Sequence, residues 1–405
     1  MTADVQQAVA PALGARRLRT LVVIGSLSAF GPLSMDAYLP GLPALGRDLG
    51  GSPSATQATL TGCLLGLAAG QLLVGPVSDA LGRRRPLLVG IAVYVVVSVL
   101  CALAPSIWAL VVVRVVQGLA GAAGIVIARA IVRDLYSAAA AAQFFALLML
   151  VTTLAPILAP ILGAQILRVG SWRTIFYALA AAGAAILAGA ATVLPETLPP
   201  IRRRGSGLRE LRLGFRFLLR DRAFVGHVLA AGLPFAAMFA YIAGSPFVLQ
   251  DVYGLSPQWY GVVFGANAFG IMLFSQVSRA LVTRVGARPL LVAGLVVGAT
   301  GSGLFLVCVL AGFGLAVVLP SLFLAIAAMG LVLPNASALA LADHPDRAGT
   351  ASALLGVSQF AFGAAVAPIV GSAGGHTAVP MAVLMAMLAA AGLIELLVVV
   401  PRRAA

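Results

Sequence analysis

The sequence GPVSDALGRRRPLL, residues 75–88, joins two long apolar runs, and its residue types suit a tight loop at a membrane surface. Gly75 lets a second helix approach closely, and Gly82 suits a tight turn. Asp79 can accept hydrogen bonds from a helix N-terminus or pair with Arg83. The flanking apolar runs are each long enough to cross a bilayer, which takes about 20 residues. The stretch therefore predicts a short polar connection between two transmembrane helices.

The whole chain has the composition of a membrane protein. Of its 405 residues, 61% are apolar and 9% are charged, and the mean hydropathy is +1.07. Soluble domains carry about 25% charged and about 45–50% apolar residues, so this composition excludes a soluble fold. We predict an all-α integral membrane protein with twelve transmembrane helices at residues 18–40, 56–80, 86–104, 107–132, 143–167, 173–194, 223–249, 257–281, 288–310, 314–341, 347–372 and 378–400.

Charge is distributed unevenly between the two sides that these spans define. All 26 basic residues are arginine, and with 12 acidic residues they give a net charge of +14. If the N-terminus is inside, 21 arginines fall in cytoplasmic segments and three, Arg47, Arg168 and Arg173, fall outside. This bias follows the positive-inside rule, so we predict that both termini are cytoplasmic and that the charge implies no nucleic-acid partner. The three cysteines lie far apart in apolar stretches and predict neither a disulfide framework nor a metal site.

The two halves of the chain repeat each other. The sequence GRRRPLL at 82–88 returns as GARPLL at 286–291, and APILG at 159–163 returns as APIVG at 367–371. Such a repeat is typical of secondary transporters whose site lies between the two halves, near the membrane midplane. The predicted domains are a cytoplasmic tail at 1–17, a six-helix bundle at 18–194, a basic cytoplasmic linker at 195–222, a second six-helix bundle at 223–400 and a cytoplasmic tail at 401–405.

Asp36 and Arg114 are predicted to lie inside the membrane. A membrane-embedded arginine costs at least about 2.5 kcal/mol, so Arg114 needs a partner or a wet cavity. Counting helical rise places Asp36 about 6 Å and Arg114 about 12 Å from the outer ends of the first and fourth spans, so the two side chains can pair. A pairing that changes with conformation would suit proton coupling. A fixed structural ion pair and a snorkelling arginine remain alternatives.

The fifth span and several isolated polar residues indicate where a substrate cavity could lie. Pro156, Pro160 and Gly163 interrupt the fifth span, where two prolines four residues apart kink or stiffen one helix face. Other spans each carry polar side chains that either face a cavity or form helix–helix hydrogen bonds. These cavity candidates are Gln117, Gln165, Tyr241, Asn267, Asn335 and Gln359.

The stretch 75–88 resembles the cytoplasmic loop signature of the major facilitator superfamily. The matching residues are Gly75, Asp79, Gly82, Arg83 and Arg84. This resemblance implies a gate on the cytoplasmic side, for which Asp134, in ARAIVRDLY at 128–136, is the expected further member.

Motifs along almost the whole chain resemble the bicyclomycin/chloramphenicol resistance (Bcr/CflA-type) branch of the drug:proton antiporters. They are MDAYLPGLP, GPVSDALGRRRPLL, ARAIVRDLY, LVTTLAPILAPILG, SWRTIFY, LPETLPP and AGTASALLG. The resemblance implies the major facilitator fold, two pseudo-repeated six-helix bundles, and efflux of small drugs in exchange for protons, with Asp36 and Arg114 as the proton-coupling residues.

The same resemblance implies a monomer in the cytoplasmic membrane of a bacterium, with drug, protons and the lipid bilayer as partners and no cofactor besides the proton gradient. One departure is Ser28, at a position where some related multidrug exporters carry a second acid. This reduces the case for multivalent cationic substrates.

Three other functions are alternatives to an exporter. A proton-coupled metabolite importer shares the fold and differs only in direction. A polytopic membrane enzyme is disfavoured because the three histidines, His227, His344 and His376, lie near helix ends or loops, with no HExxH motif or carboxylate cluster. A lipid-binding or signalling scaffold could use the arginine-rich linker at anionic headgroups, but it leaves Asp36 and Arg114 unexplained.

Overall fold

The computed structural model describes residues 10–136, 138–203, 208–342, 344–372, 375 and 377–398, and within them the chain is all-α. Twelve of its helical segments are long and apolar enough to cross a membrane, in agreement with the predicted fold class. The α-helices are α1 (Ala10–Asp36), α2 (Leu42–Asp48), α3 (Pro53–Leu81), α4 (Arg84–Ala102), α5 (Ile107–Leu135), α6 (Ala138–Ile166), α7 (Trp172–Val193), α8 (Leu208–Leu218), α9 (Arg222–Phe247), α10 (Pro257–Val285), α11 (Ala287–Leu310), α12 (Leu315–Ala327), α13 (Met329–Ala342), α14 (Ala348–Ser372) and α15 (Val379–Val398).

Helices α1–α7 form one bundle and α9–α15 form the other, with α8 in the linker between them. Helix α1 begins within the stretch 1–17 that we predict as a tail, and 1–9 and 401–405 lie outside the described residues. We call the end of the molecule that carries Arg83, Arg133 and Arg284 the basic end. The end that carries Asp48 and Asp251 is the opposite end.

Serine caps start equivalent helices in the two bundles. The Ser52 hydroxyl accepts from the Ala55 N–H at the start of α3, and the Ser256 hydroxyl accepts from the Trp259 N–H at the start of α10. In both helices proline follows the cap, where its missing N–H costs nothing. The two halves that repeat in sequence therefore also share a serine cap followed by proline at the start of α3 and α10.

Small residues allow close helix crossings at equivalent places in both bundles. A Cβ added to Gly66 on α3 would lie 2.0 Å from the carbonyl oxygen of Val115 on α5. A Cβ added to Gly330 on α13 would lie 2.2 Å from the carbonyl oxygen of Ile271 on α10. These backbones touch because glycine presents no side chain, as in other membrane helix pairs.

The tenth predicted span, 314–341, is divided at Ala328 into α12 and α13. Proline at 334 has no N–H to bond the carbonyl of Gly330, four residues earlier. The Ser275 hydroxyl donates to that carbonyl instead, at 3.2 Å. The missing backbone hydrogen bond is thus replaced from the neighbouring helix α10, as an apolar environment requires.

Candidate functional site

A cavity of about 290 Å³ lies between the two bundles. Helices α1, α3, α5 and α6 contribute one wall, and α9, α10, α12 and α14 contribute the other. Its lining is apolar and rich in aromatic rings, among them Phe235, Phe239, Phe264 and Phe360. Such a lining suits a bulky apolar ligand that is held mainly by its shape.

Among the residues that the structure describes, Asp36 is the one charged side chain in the wall of this cavity. It is 7% exposed. Within the described part of the chain, its carboxylate has no hydrogen-bond or salt-bridge partner, although most buried carboxylates are paired. The cavity therefore contains one acidic group that is free to take up a proton or to contact a ligand.

Arg114 is fully buried beside the cavity wall, and neutral groups surround its guanidinium. It donates to the Ser34 carbonyl at 2.9 Å, to the Gln117 Oε1 at 2.6 Å and, more weakly, to the Thr59 carbonyl at 3.4 Å. The Tyr38 ring lies 4.4 Å from the guanidinium carbon, a cation–π distance. These contacts hold a membrane-embedded positive charge in a fixed position.

The direct ion pair between Asp36 and Arg114 that the sequence suggests does not form in this state. Arg114 contacts the backbone carbonyl of Ser34, in the last turn of α1, and the ring of Tyr38, which lies just beyond the end of that helix. Asp36 is the last residue of α1 and lines the cavity. The arginine is therefore held by the neighbours of Asp36 and not by its carboxylate.

A buried polar chain extends the Arg114 contacts. Gln117 Nε2 donates to the Ser98 hydroxyl at 2.8 Å, and the Ser98 hydroxyl donates to the Tyr94 carbonyl at 2.7 Å. The Tyr94 hydroxyl and the Ser34 hydroxyl are 2.6 Å apart. Tyr94 was not among the sequence candidates because a single tyrosine in an apolar span carries no distinguishing signal.

The six polar cavity candidates take different positions. Tyr241 and Asn267 line the cavity, and the Asn267 amide donates to the Tyr241 hydroxyl at 2.8 Å. Asn335 instead donates to the Ser278 hydroxyl at 2.7 Å, which makes it a bond between α13 and α10. The remaining three candidates, Gln117, Gln165 and Gln359, do not line the cavity. Gln117 accepts a hydrogen bond from Arg114, and Gln165 lies exposed near the end of α6.

The interrupted helix α6 packs against the chain next to Asp36. A Cβ on Gly163 would lie 1.7 Å from the carbonyl oxygen of Ala37, so only glycine fits this approach. Pro156 lines the cavity. The Pro160 carbonyl lies 2.9 Å from the position that a Cβ on Gly261 would occupy, so this turn of α6 touches α10 of the other bundle.

At the basic end, the predicted gate residues come together around Arg83. Its guanidinium donates to Asp79 at 2.5 Å and to Asp134 at 3.0 Å. The Arg84 guanidinium donates to the Leu194 carbonyl at 3.0 Å. Gly82 has a φ of +90°, a value that favours glycine, and it makes the turn between α3 and α4.

Glu196 is a further member of this cluster that we did not predict. Its carboxylate accepts from the backbone N–H of Arg83 at 2.8 Å and of Arg84 at 3.2 Å, at the start of α4. Partial burial alone would raise the pKa of Glu196, but the backbone donors of Leu198, Arg83 and Arg84 lower it below its ordinary value. Its only sequence signal is its place in LPETLPP.

At the opposite end, side chains of one bundle bond to the backbone of the other. Helix α3 donates three such bonds: Gln57 Nε2 to the Ala243 carbonyl at 3.0 Å, Thr61 Oγ1 to the Ala364 carbonyl at 3.0 Å, and Ser54 Oγ to the Pro368 carbonyl at 2.9 Å. An ion pair between Arg47 and Asp251, at 3.2 Å, also joins the bundles. The interbundle hydrogen bonds identified among the described residues thus lie in this half.

A model of the Major Facilitator Superfamily matches residues 24–368. The chain is 39% identical over 381 residues to an uncharacterized MFS-type transporter, YdgK, of Bacillus subtilis, covering 94% of each chain. It is 30% identical to a bicyclomycin resistance protein homolog of Haemophilus influenzae, covering 89% of this chain and 91% of that one. It is also 30% identical to the multidrug resistance protein MdtL of Escherichia fergusonii, covering 84% and 85%.

The fold is similar to that of the E. coli xylose transporter XylE in a partially occluded inward-open conformation. The TM-score is 0.73 at 15% identity, over 95% of this chain and 98% of that one. These similarities confirm the resemblance to transporters of the bicyclomycin resistance type that the motifs indicated, and the expectation that the chain is not an enzyme.

Proposed function

The chain belongs to the major facilitator superfamily, and we propose that it exports small drug molecules from a bacterial cell in exchange for protons. It is a multi-pass transporter of a bacterial membrane. The observation that carries the proposal is the uncommitted Asp36 carboxylate in the wall of an apolar cavity between the bundles. The bicyclomycin and multidrug resistance relatives support drugs as the substrate class.

We place the basic end in the cytoplasm, because the arginine excess lies there and the positive-inside rule assigns that side. The protein then lies in the cytoplasmic membrane with both of its termini in the cytoplasm. The bonds from α3 close the outer end in this state, so substrate reaches the cavity from the cytoplasm. Every wall of the cavity comes from one chain, which supports a monomer as the working unit.

Proton coupling would follow from two competing uses of Asp36. In the inward-facing state Asp36 releases its proton to the cytoplasm, and the drug then enters a cavity whose negative charge is restored. After the bundles rock to the outward-facing state, protonation of Asp36 from outside neutralises that charge and releases the drug. Arg114, which neutral groups hold beside the same turn of α1, is the second residue that we propose for this coupling.

Transport into everted membrane vesicles tests this proposal. We expect a drug panel measured with a proton gradient to identify substrates, and we expect Asp36→Asn to reduce their gradient-driven uptake to background. Glu395→Gln is the matched control: Glu395 is also buried, neither of its carboxylate oxygens has a partner, and it does not line the cavity. Full gradient-driven transport by the Asp36→Asn protein would overturn the coupling role, and drug movement only in the opposite direction would indicate an importer.

A further inference from the structure

Helix α8 lies at the basic end and packs one face onto the second bundle. Leu218 is fully buried in a small apolar cluster with Phe224, Leu354 and Leu355. A Cβ on Gly214, one turn earlier, would lie 2.7 Å from the Thr350 side chain at the start of α14. These contacts fix the rotation of α8 about its own axis.

The remaining face of α8 combines exposed arginines with exposed apolar side chains. Arg212 and Arg216 are four residues apart and lie on one side of α8, and Arg220 lies in the turn that follows the helix. Leu213 and Phe217 lie next to these arginines and are 57% and 50% exposed. A helix that faced only water would not place apolar side chains beside its charges on the solvent side.

A groove runs between α8 and the segment that joins α13 to α14. Leu213, Arg216, Phe217, Arg220, Asp221 and His344 line it, and its volume is about 710 Å³. The Asp221 carboxylate already has two partners. It accepts a hydrogen bond from the Ala223 N–H at the start of α9, and it lies 2.9 Å from His344 Nε2. Arg347 lies 4.1 Å from the Phe217 ring and adds a third positive charge at the edge.

The two groove arginines have no acidic partner of their own. Neither Arg216 nor Arg220 forms an ion pair within the described residues, and both are exposed. The groove thus offers two guanidinium groups that form no ion pair among the described residues, next to an apolar floor. A phosphate group with an attached hydrocarbon chain matches this arrangement, since guanidinium groups bind phosphate oxygens and the chain can cover leucine and phenylalanine.

The position of α8 along the chain brings the groove to the membrane surface. The membrane-spanning helix α9 begins at Arg222, four residues after the last residue of α8. So short a connection keeps Arg220 and Phe217 within several ångströms of the level at which α9 enters the bilayer. Arginines at that level contact lipid headgroups, and each strengthens binding to an anionic surface.

We propose that the groove formed by α8 and the α13–α14 connection is a binding site for an anionic phospholipid. The lipid phosphate contacts Arg216 and Arg220, and the upper part of its acyl chain contacts Leu213 and Phe217. Such a lipid would hold the linker against the second bundle while the first bundle moves. This site is separate from the central cavity and does not depend on what the protein transports.

The distribution of tryptophan makes this site measurable in the full-length protein. Trp108, Trp172 and Trp259 are the three native tryptophans, and all of them lie at or near the opposite end. A Leu213→Trp protein therefore carries one reporter at the groove, and the unsubstituted protein supplies the background. The protein is reconstituted in nanodiscs in which either phosphatidylglycerol or phosphatidylcholine carries bromine on its acyl chain, at equal mole fraction.

We expect brominated phosphatidylglycerol to quench the new tryptophan more than brominated phosphatidylcholine does. Adding Arg216→Gln and Arg220→Gln should lower the relative association constant for phosphatidylglycerol by about tenfold or more, because two cationic contacts are lost. The matched control is Arg279→Gln with Arg284→Gln, which removes two exposed arginines from the basic end of α10 and should leave the preference unchanged.

Three results would overturn the proposal. Equal quenching by the two lipids would show that the groove has no charge preference. A preference that survives Arg216→Gln with Arg220→Gln would place the anionic lipid elsewhere. Loss of the preference on adding millimolar inorganic phosphate at constant ionic strength would identify a soluble phosphate compound as the occupant.

Discussion

The Thr61 hydroxyl donates a hydrogen bond of 3.0 Å to the Ala364 carbonyl across the boundary between the two bundles. Inside α14 this carbonyl would normally accept from residue 368, but proline there has no N–H. One helix thus lacks an internal bond, and the facing helix of the other bundle supplies it. The bond can form only while the bundles are closed at this end, so it stabilises only that state of the transport cycle.

Removing this bond should therefore change the balance between states. We expect Thr61→Val to increase the population that is open at the Asp251 end by about fivefold, because one buried hydrogen bond contributes about 1 kcal/mol. Spin labels on cysteines introduced at Val169 and Val252 would report the distance between bundles at this end. Thr192→Val is the control, since the Thr192 hydroxyl bonds only within its own helix. An unchanged distance distribution in the Thr61→Val protein would contradict the gating role.

Gly163 sets the distance between α6 and the segment that follows Asp36. We expect Gly163→Ala to destabilise the protein by about 2 kcal/mol or more, since its Cβ would overlap the Ala37 carbonyl oxygen and a packed interior relaxes only partly. Thermal unfolding in detergent measures this change. Gly303→Ala, at a helical glycine with open space around it, should have little effect. Equal melting temperatures for the two variants would show that α6 can move away from Ala37 without a loss of stability.

Arg114 should not tolerate lysine. The ammonium group of Arg114→Lys cannot reach the Ser34 carbonyl, Gln117 and the Tyr38 ring at once, so buried acceptors lose their donors. We expect a loss of about 2 kcal/mol or more in stability and little remaining transport. Arg129→Lys changes an exposed arginine of the same helix and should be nearly neutral. A transport-competent Arg114→Lys protein would show that only the charge is needed.

Glu196 should affect the rate of transport without changing its pH dependence. Its pKa lies below the ordinary value, so the contacts of the charged carboxylate are complete at neutral pH and disappear only as the pH falls through that lowered pKa. Between about pH 6 and pH 8 it does not titrate. We expect Glu196→Gln to slow transport at every pH in this range by a similar factor.

Thr197→Val is the control for Glu196→Gln, since it alters a neutral neighbour that donates to Asp134 at 3.1 Å. A shifted pH profile in the Glu196→Gln protein would assign the titrating group to the basic end and not to the cavity.

Features that repeat along the chain could be predicted from the sequence. Apolar runs predicted the twelve spans, and the loop at 75–88 predicted the cluster of Asp79 and Arg83, since these residues are close in sequence and share one turn. Asp134 joined the cluster only through the resemblance to a family. Glu196 was missed because its role depends on the backbone of α4, more than 100 residues away, which no side-chain pattern reports.

Contacts between helices were harder to predict. Axial distance allowed Asp36 and Arg114 to meet, but Asp36 lines the cavity while the Ser34 carbonyl and the Tyr38 ring contact Arg114. Asn335 and Gln117 look like cavity residues in a sequence, yet each donates a hydrogen bond to a serine on a neighbouring helix. A polar side chain in an apolar span must find a partner, and the sequence alone does not say whether that partner is protein or ligand.

The cavity offers a ligand many apolar surfaces and very few hydrogen-bonding groups. Its tyrosine and asparagine already bond to each other, which leaves Asp36 as the polar group that a substrate can use. The apolar walls thus select a ligand by its shape, whereas Asp36 supplies the charge. A mutation that enlarges or shrinks one aromatic wall residue would therefore alter which compounds fit and leave Asp36 unchanged, so the range of transported compounds can diversify by single substitutions.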